Sequence, residues 1–448
     1  MKMQLKEIPG SIVAPQGFLA SGIFCDIKRL GTGKGSNKGK KRDLALILSE
    51  VPATVAGMFT TSQVCAAPVK ISMPRASKAR AQAIVINSGN ANACTGSQGI
   101  RDAKAMTEIV AKLFRLPAED ILVASTGRIG VTLPMANVKR GIQDAAGLLN
   151  TFPENAQHAA EAIMTSDTRP KAVAVEFKLG GKTVRIGGIC KGAGMIQPGM
   201  SATGARPAAV PSNKFQGLHA TMLCFITTDA AIESKTLKAA LNEAVANSFN
   251  RITVDGDMST NDTVIVLANG MAGNTTVTSN RRADLLAFQS ALNHVCLELA
   301  KLIVRDGEGV TRFVTVRVNG AKSFADADAA ARAVANSSLV KTSWFGGDPN
   351  WGRILGALGY SPAHIVEEKI DVAYSAPGST KLLYALKKGQ PTKTSFDVLC
   401  KMVAQKEFDL HINLNLGKSA AVMYASDLTE EYVDFNKGDV SDPSSLGG

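Results

Sequence analysis

The stretch HATMLCFITTDA, residues 219–230, places a lone threonine, Thr221, directly before the apolar run MLCFI. A short continuous apolar run bounded by polar residues is typical of a buried β-strand. The preceding segment, residues 197–219, is rich in Pro, Gly and Ser and divides the chain almost into halves. The sequence therefore predicts a core strand that begins with a hydroxyl-bearing residue after a long loop.

Both halves of the chain mix strand-like and helix-like patterns, which predicts an α+β layered fold. Residues 172–192 alternate around Gly180 and Gly181, the residue pair expected in a two-residue hairpin turn. Further strands are predicted over residues 17–24, 43–59, 67–72, 81–89, 121–130, 263–270 and 312–320. Helices are predicted over residues 101–114, 135–150, 154–166, 234–250, 291–309 and 324–337.

The composition is that of an ordinary soluble globular protein, with 448 residues, 45% apolar and 20% charged. No apolar run reaches the roughly 18 residues that a membrane helix needs. The N-terminus also lacks the apolar segment of a secretory signal. Seven scattered cysteines without a C-x-x-C pair favour reduced thiols in the cytoplasm over disulfides or a zinc site.

Seven basic residues and no acidic residue lie in KRLGTGKGSNKGKKR, residues 28–42, and the net charge of the chain is +12. Such a stretch is typical of a nucleic-acid arm, a phosphate loop or a solvated loop between strands. It contains no aromatic residue, and its glycines do not fit the phosphate-loop pattern G-x-x-x-x-G-K-[ST]. We therefore favour the solvated loop and expect no nucleic-acid partner.

Metal sites are not expected from the sequence. Residues 254–262, VDGDMSTND, begin like a calcium loop, but Thr260 stands where that loop needs glycine and Val266 where it needs glutamate. We interpret them as a polar turn before a strand. The five histidines are isolated, which argues against a zinc protease or a Ser-His-Asp hydrolase. Residues 347–353, GDPNWGR, fit a structural corner and an anion clamp equally well.

Thr221 raises a chemical possibility of its own. A threonine hydroxyl is a poor nucleophile unless a base lies beside it. Cleavage of the Ala220–Thr221 bond would supply that base, because the freed α-amine has a pKa near ~8 and sits on the same residue. The hydroxyl would attack the Ala220 carbonyl, an ester would form, and water would open it. A lone threonine at a strand edge is also common without any catalytic role.

Eight ordered motifs resemble the ornithine acetyltransferase family of arginine biosynthesis and span nearly the whole chain. They are NSGNANACTG (87–96), ASTGRIGVTLP (124–134), TSDTRPK (165–171), KGAGMI (191–196), ATML-FITTDA (220–230), FNRITVDGDMSTND (249–262), VRDGEGVTRF (304–313) and GDPNWGRI (347–354).

The resemblance implies an αββα-type layered fold, the N-terminal-threonine nucleophile fold of the ornithine acetyltransferase/DmpA-like superfamily. It implies a precursor that cleaves itself into an α chain, residues 1–220, and a β chain, residues 221–448, assembled as two α and two β chains. The new terminal threonine takes acetyl from N-acetylornithine and passes it to glutamate without a cofactor. Some members also accept acetyl-coenzyme A, and the sequence leaves open whether this chain does.

On this resemblance the nucleophile matches Thr221, and the oxyanion hole matches Thr126 and Gly127. Lys191 can pair with the α-carboxylate that both substrates share. Glu308 could hold either the ornithine ammonium or the Thr221 amine. The full set of substrate contacts implied by the family matches Thr168, Lys191, Thr221, Glu308, Asn436 and Ser441. Because one site serves two amino acids in turn, ping-pong kinetics are expected.

The chain departs from the family pattern before Ala220, in the basic insert at residues 31–41 and in its last residues, DVSDPSSLGG. Members usually read KGAGMI-x-PNMATML without a break, whereas here residues 201–219 are inserted before Ala220, and Gly199 replaces the usual asparagine. Chain ends tolerate additions, so we expect self-cleavage to survive the insertion. Two alternatives stay open: an amidase or aminopeptidase of the same superfamily, and an uncleaved, non-catalytic relative that binds nucleic acid through its basic stretch.

Overall fold

The computed structural model describes residues 5–28, 41–205 and 222–437. Its strands are β1 Lys6–Glu7, β2 Phe18–Ile23, β3 Leu44–Phe59, β4 Arg80–Asn90, β5 Ile121–Arg128, β6 Lys171–Leu179, β7 Lys182–Lys191, β8 Leu223–Thr228, β9 Ile252–Thr253, β10 Thr263–Ala268, β11 Phe313–Ala321, β12 Asp371–Ser375, β13 Leu383–Lys387, β14 Gln390–Pro391, β15 Glu407–Asn413 and β16 Ser419–Ser426. Its α-helices are α1 Ala67–Ser77, α2 Gly96–Phe114, α3 Met135–Gly147, α4 Pro153–Ala162, α5 Ser234–Ala246, α6 Arg282–Arg305, α7 Phe324–Asn336, α8 Ser338–Phe345, α9 Trp351–Gly359, α10 Phe396–Val403 and α11 Glu430–Asn436.

Within the described ranges the strands form two sheets. The larger has nine strands in the order β1-β6-β7-β8-β10-β3-β4-β5, with β2 paired to β3. The smaller has seven strands in the order β14-β13-β12-β15-β11-β16-β9. The predicted core strand after residue 221 is β8, which lies in the middle of the larger sheet and is buried at every position.

The larger sheet folds over to give two facing β-layers. One buried cluster joins Ile84 and Leu122, on β4 and β5, to Ile189, Phe225 and Ile265, on β7, β8 and β10. Behind β6, β7, β8 and β10 a second cluster packs against α5 and α6. Behind β3, β4 and β5 a third packs against α2 and α3. This α-β-β-α order confirms the predicted layered α+β fold.

Strand β3 passes from one layer into the other. Its pairing with β4 shifts register between Leu48 and Ala53, next to the exposed Pro52. A proline cannot donate a ladder hydrogen bond and is accommodated at such irregularities. On either side of the shift, Leu46 packs in the cluster behind β3–β5, and Met58 packs in the cluster behind β10.

Two local predictions meet different outcomes. The hairpin is confirmed, because β6 and β7 flank Gly180 and Gly181, whose φ angles of +53° and +83° suit a type I′ turn. The strand predicted for residues 67–72 is wrong, since these residues begin helix α1. Pro68 lies in the first helical turn, where its missing N–H costs nothing. The side chain of Val69 is buried among residues from β3 and β5, and packing rather than the short apolar pattern decides the conformation.

The smaller sheet forms a separate core with α7, α8, α9 and α10. The GDPNWGR motif joins α8 to α9 there. The Asn350 side chain caps α9 by accepting from the Arg353 N–H at 3.1 Å. The Arg353 guanidinium donates to the Leu339 carbonyl at 2.8 Å and to the Thr342 hydroxyl at 3.3 Å. These contacts support the structural corner rather than the anion clamp.

Candidate active site

Three strand ends of the larger sheet meet at one place. Lys191, the last residue of β7, pairs with Leu223, the first residue of β8. The Lys191 side chain is fully buried, and its Nζ donates to Thr126 Oγ1 at 3.2 Å and to Thr165 Oγ1 at 2.7 Å. Because Thr126 lies on β5 and Lys191 on β7, this contact joins the two facing β-layers.

Gly127 follows Thr126 at the end of β5 and has a conformation that favours glycine. Its φ is +127°, in the left-handed region. A Cβ atom there would lie 2.4 Å from the carbonyl carbon of Gly89, its partner on β4. The backbone after Thr126 can therefore turn sharply against β4 only if no side chain is present.

Asp167 is the buried anion beside Lys191. Its Oδ1 accepts from the Gly192 N–H at 2.7 Å, which fixes the loop that follows β7. Burial opposes the charge of Asp167, but Lys171 and Lys191 hold the pKa of this carboxyl well below its usual range. Burial lowers the pKa of Lys191, and the charge of Asp167 acts in the opposite direction.

Thr168 reaches the same network from the solvent side. Its N–H donates to Asp306 Oδ2 at 3.1 Å, and its hydroxyl donates to Asp306 Oδ1. The buried ammonium of Lys171 bridges Asp306 and Asp167. Sequence reasoning did not single out Asp167, Lys171 or Asp306. They stand inside the TSDTRPK and VRDGEG motifs, but only the fold brings Lys171 to an aspartate 135 positions away.

Glu308 and Asn436 are brought together, as the resemblance implies for substrate contacts. Asn436 Nδ2 donates to Glu308 Oε2 at 2.9 Å, and the Glu308 N–H donates to the Ala193 carbonyl at 2.9 Å. The Glu308 carboxyl lies on Gly194, where a Cβ would come within 2.6 Å of Oε2. Burial raises the pKa of Glu308, while the hydrogen bond from Asn436 acts in the opposite direction.

Asp255 forms part of the wall of this site and was missed by the sequence reasoning. Its carboxylate accepts from the N–H groups of Met195 and Ile196 at 2.5 and 2.9 Å. The Tyr432 hydroxyl donates to it at 3.3 Å. The polar turn predicted for residues 254–262 thus holds the loop after β7. The acidic residues in that turn were the sequence signal that could have identified Asp255 as part of the site.

Three of the predicted site residues, Ala220, Thr221 and Ser441, lie outside the described residues, which end at 205, resume at 222 and stop at 437. Most of the inserted segment and of the basic stretch also lies outside them. The described residues place Thr126, Gly127 and Lys191 together, and Glu308 with Asn436. Thr168 joins them through Asp306.

The chain on both sides of residues 206–221 is held in the larger sheet. Ser201 exchanges two backbone hydrogen bonds of 2.9 Å with Phe59. Phe59 lies opposite Thr263 on β10, and Thr263 lies beside Leu223 on β8. At about 4.8 Å per strand, Ser201 and Leu223 are about 14 Å apart. Each flanking segment is therefore anchored by its own sheet contacts.

A sequence profile of the ArgJ family, the family of arginine-biosynthesis proteins that the motifs resemble, matches residues 28–438. The chain belongs to the ArgJ family. The protein of Symbiobacterium thermophilum named arginine biosynthesis bifunctional protein ArgJ is 45% identical, over 96% of this chain and 99% of its own. The glutamate N-acetyltransferase of Methanocaldococcus jannaschii is 43% identical, over 96% of this chain and 99% of its own.

Solved structures of ArgJ-family proteins are also similar to this chain. The ornithine acetyltransferase of Mycobacterium tuberculosis, solved in complex with ornithine, is 34% identical and has a TM-score of 0.39. The match covers 44% of this chain and 100% of the other. In the described part of this ArgJ-family chain, no helix is long and apolar enough to cross a membrane.

The site of this ArgJ-family chain carries groups suited to acyl chemistry. Thr126 Oγ1 accepts a hydrogen bond from Lys191, which leaves the hydroxyl hydrogen available to another acceptor. A hydroxyl donor at the end of a rigid strand is a common element of an oxyanion hole. Lys191 offers a cation and Glu308 a carboxyl group, which together can bind an amino acid at both ends.

Proposed function

We propose that this chain is a glutamate N-acetyltransferase of arginine biosynthesis, which transfers acetyl from N²-acetyl-L-ornithine to L-glutamate. The names of the relatives from S. thermophilum and M. jannaschii support this activity. The structural observation that carries the proposal is the hydrogen bond from Lys191 to Thr126 beside the start of β8. It sets a hydroxyl donor and a cation next to the strand that follows Thr221.

The proposal begins with self-cleavage at Ala220–Thr221. The Thr221 hydroxyl attacks the Ala220 carbonyl, the C–N bond breaks as the new ester forms, and the freed nitrogen takes the proton. Water then hydrolyses the ester, which leaves a carboxylate on Ala220 and a free amine on Thr221. The anchoring of Ser201 and Leu223 supports this step, since both flanking segments keep their sheet contacts after the bond is cut.

Acetyl transfer then follows in two half-reactions at Thr221. The α-amine takes the hydroxyl proton while the oxygen attacks the acetyl carbon of N²-acetylornithine. The oxyanion is stabilised by the Thr126 hydroxyl and the Gly127 N–H, each contributing about 3 kcal/mol. The C–N bond breaks, ornithine leaves with the proton on its α-amine, and the acetyl ester remains. The glutamate amine attacks that ester and releases N-acetylglutamate.

Binding of both substrates uses the remaining groups of the site. Lys191 pairs with the α-carboxylate that ornithine and glutamate derivatives have in common. Glu308, Asn436, Thr168 and Ser441 contact the rest of the substrate. No cofactor is required, because Thr221 itself carries the acetyl group. An assay that replaces N²-acetylornithine with acetyl-coenzyme A decides whether that thioester is a second donor.

The proposed assembly is two α chains, residues 1–220, and two β chains, residues 221–448, in the cytoplasm. The seven cysteines, all within the described residues, are free thiols, which supports a reducing compartment. Native mass spectrometry measures the assembly directly. A single 448-residue polypeptide would contradict the two-chain composition.

Comparison of Thr221→Ala with Thr203→Ala tests the proposal. Thr203 belongs to a second Ala-Thr pair within the insert, is exposed, and is followed by glycine rather than by a strand. We expect Thr221→Ala to remain one full-length chain on a denaturing gel and to transfer no acetyl, whereas Thr203→Ala is cleaved and active. A cleaved, active Thr221→Ala variant would refute the proposal. Release of acetate without N-acetylglutamate would instead identify a hydrolase.

A further inference from the structure

Met222, directly before β8, is held by two consecutive residues, Asp262 directly before β10 and Thr263 at the start of β10. The Met222 N–H donates to Asp262 Oδ1 at 3.1 Å, and the Met222 carbonyl accepts from the Thr263 N–H at 3.2 Å. Met222 is fully buried. Both backbone groups of the residue that follows Thr221 are thus fixed, one by a ladder hydrogen bond and the other by a side chain.

Asp262 is a fully buried carboxyl group, and among the described residues its carboxyl oxygens accept from backbone N–H groups. Besides the Met222 N–H, the Ser259 N–H donates to the carboxyl group, at 3.3 Å from Oδ2. The main-chain carbonyl oxygen of Asp262 accepts from the Thr60 N–H at 2.8 Å. Burial raises the pKa of Asp262 to about 7, against the effect of the two N–H donors. A buried carboxyl group is costly to keep, so a specific task at this position accounts for it better than packing does.

The hydrogen bond at the Met222 N–H also constrains the residue before Met222, because the two residues share a peptide unit. The peptide unit is planar, so the direction of the Met222 N–H fixes the plane that contains the Cα of Thr221. Standard bond lengths and angles place the Thr221 nitrogen about 3 to 4 Å from the Met222 nitrogen. A hydrogen bond that holds the Met222 N–H therefore also constrains the peptide bond through which Thr221 is attached to the strand.

We propose that Asp262 is a positioning residue for Thr221, acting through the Met222 N–H in both self-cleavage and acetyl transfer. This inference rests on the proposed function, because it assumes that Thr221 is the nucleophile. It assigns a role to an aspartate that stands outside the substrate-binding and oxyanion-hole residues.

The other end of β8 offers a matched control. Asp229 follows the last residue of the strand and is 1% exposed. Its two carboxylate oxygens accept from the backbone N–H groups of Arg185 at 2.8 Å and Gln16 at 3.1 Å. Burial raises its pKa as well. Asp229 and Asp262 therefore share burial and donor type but hold opposite ends of the same strand.

The test compares Asp262→Asn, Asp262→Glu and Asp229→Asn in the full chain. Intact mass measures the rate at which the α and β chains appear. Rapid quenching with N²-acetylornithine measures the rate of acetyl-Thr221 formation per cleaved β chain, a quantity that loss of folded protein does not change. Circular dichroism and thermal unfolding report whether each variant folds.

We expect Asp262→Asn to slow cleavage and acetylation by at least about tenfold, with the KM for N²-acetylornithine within about twofold of the wild type. Asp262→Glu, which keeps the charge but displaces the acceptor, is expected to be slowed as well. Asp229→Asn should leave both rates within about twofold. Wild-type rates in either Asp262 variant, or an equal loss in Asp229→Asn, would overturn the positioning role.

The outcomes separate this inference from the proposed function. A wild-type protein that neither cleaves nor forms acetyl-Thr221 refutes the proposed function itself. A wild-type protein that does both, together with an Asp262→Asn variant that does both equally fast, refutes only the role of Asp262.

Discussion

The buried ammonium of Lys191 donates a hydrogen bond to the hydroxyl of Thr126, with 3.2 Å between Nζ and Oγ1. The two residues come from opposite β-layers and lie 65 positions apart in the chain. Because the lysine occupies a lone pair of Thr126, the hydroxyl hydrogen is directed elsewhere. The contact therefore orients a donor and keeps a cation beside it.

Replacement of Thr126 tests that donor. Thr126→Val keeps the shape of the side chain and removes the hydroxyl, so we expect kcat for acetyl transfer to fall by about 10²- to 10³-fold. Thr126→Ser retains a hydroxyl group and should recover most of the activity. Steady-state kinetics with N²-acetylornithine and glutamate measure both variants. A Thr126→Val enzyme with unchanged kcat would exclude this hydroxyl from the oxyanion hole.

Gly127, at the end of β5, and Gly130, in the turn after it, form a matched pair. Both have left-handed φ angles, +127° and +83°. A Cβ on Gly127 would meet the Gly89 backbone at 2.4 Å, whereas a Cβ on Gly130 would meet nothing within 4 Å. We expect Gly127→Ala to displace the backbone of the proposed oxyanion hole and to lower kcat by at least about 100-fold. Gly130→Ala should cost only about 1–2 kcal/mol of stability. Equal kinetic losses in the two variants would argue against a specific role for Gly127.

Glu308 is expected to bind the side-chain ammonium of the ornithine derivative. It lies at the outer side of the site, where Asn436 donates to its carboxylate. Glu308→Gln removes the charge, and loss of a charge-assisted hydrogen bond of about 1.5–3 kcal/mol raises the KM for N²-acetylornithine roughly 10- to 100-fold. The KM for glutamate, which has no ammonium there, should not rise.

Glu431→Gln serves as the control for that experiment, because Glu431 is an exposed carboxylate on α11, the same helix as Asn436. It should leave both KM values unchanged. If Glu308→Gln instead abolishes acetylation at saturating substrate, Glu308 acts on the Thr221 amine and not on ornithine.

Lys341 makes stability depend on pH. It is 3% exposed, and its Nζ donates to the carbonyl and hydroxyl of Ser426. Burial lowers its pKa from 10.5 to about 8, with Asp255 and Asp427 acting in the opposite direction. Below the folded-state pKa, Lys341 is protonated in both the folded and the unfolded protein, and folding carries the full penalty of burying its charge. As pH rises from there towards 10.5, the folded state releases its proton first, and the penalty fades.

The stability of the parent relative to Lys341→Met should therefore increase by about 2–3 kcal/mol between about pH 7 and about pH 10. Urea unfolding of both proteins measures the difference. Both should carry Thr221→Ala, so that each unfolds as a single uncleaved chain. A difference in stability that does not change with pH would show that Lys341 keeps its proton in the folded protein.

The sequence predicts those parts of the fold that local chemistry determines. The glycine pair at 180 and 181 specifies the β6–β7 hairpin, and the continuous apolar run after Thr221 specifies β8. Residues 67–72 were predicted wrongly, because a six-residue apolar pattern fits a strand and a buried helical turn equally well. The packing of Val69 against β3 and β5 decides in favour of the helix at these residues.

The site itself depends on relationships that no local pattern contains. The resemblance assigns Thr126 and Lys191 to one site, but their contact requires a sheet that folds over on itself. Asp262 stands in a motif that reads as a polar turn, and its importance depends on which N–H its carboxylate faces. The contact between Asp262 and the Met222 N–H can be recognised only when the pairing of β8 with β10 is known.

The most direct measurement of the chemistry is the mass of the β chain during the first half-reaction. The purified protein is mixed with N²-acetyl-L-ornithine in the absence of glutamate, quenched in acid and measured intact, then fragmented. We expect the β chain to begin at Thr221 and to carry one acetyl group on that residue, which added glutamate removes as N-acetylglutamate. An unmodified β chain from a preparation that does transfer acetyl to glutamate, or an acetyl group on any other residue, would contradict the mechanism.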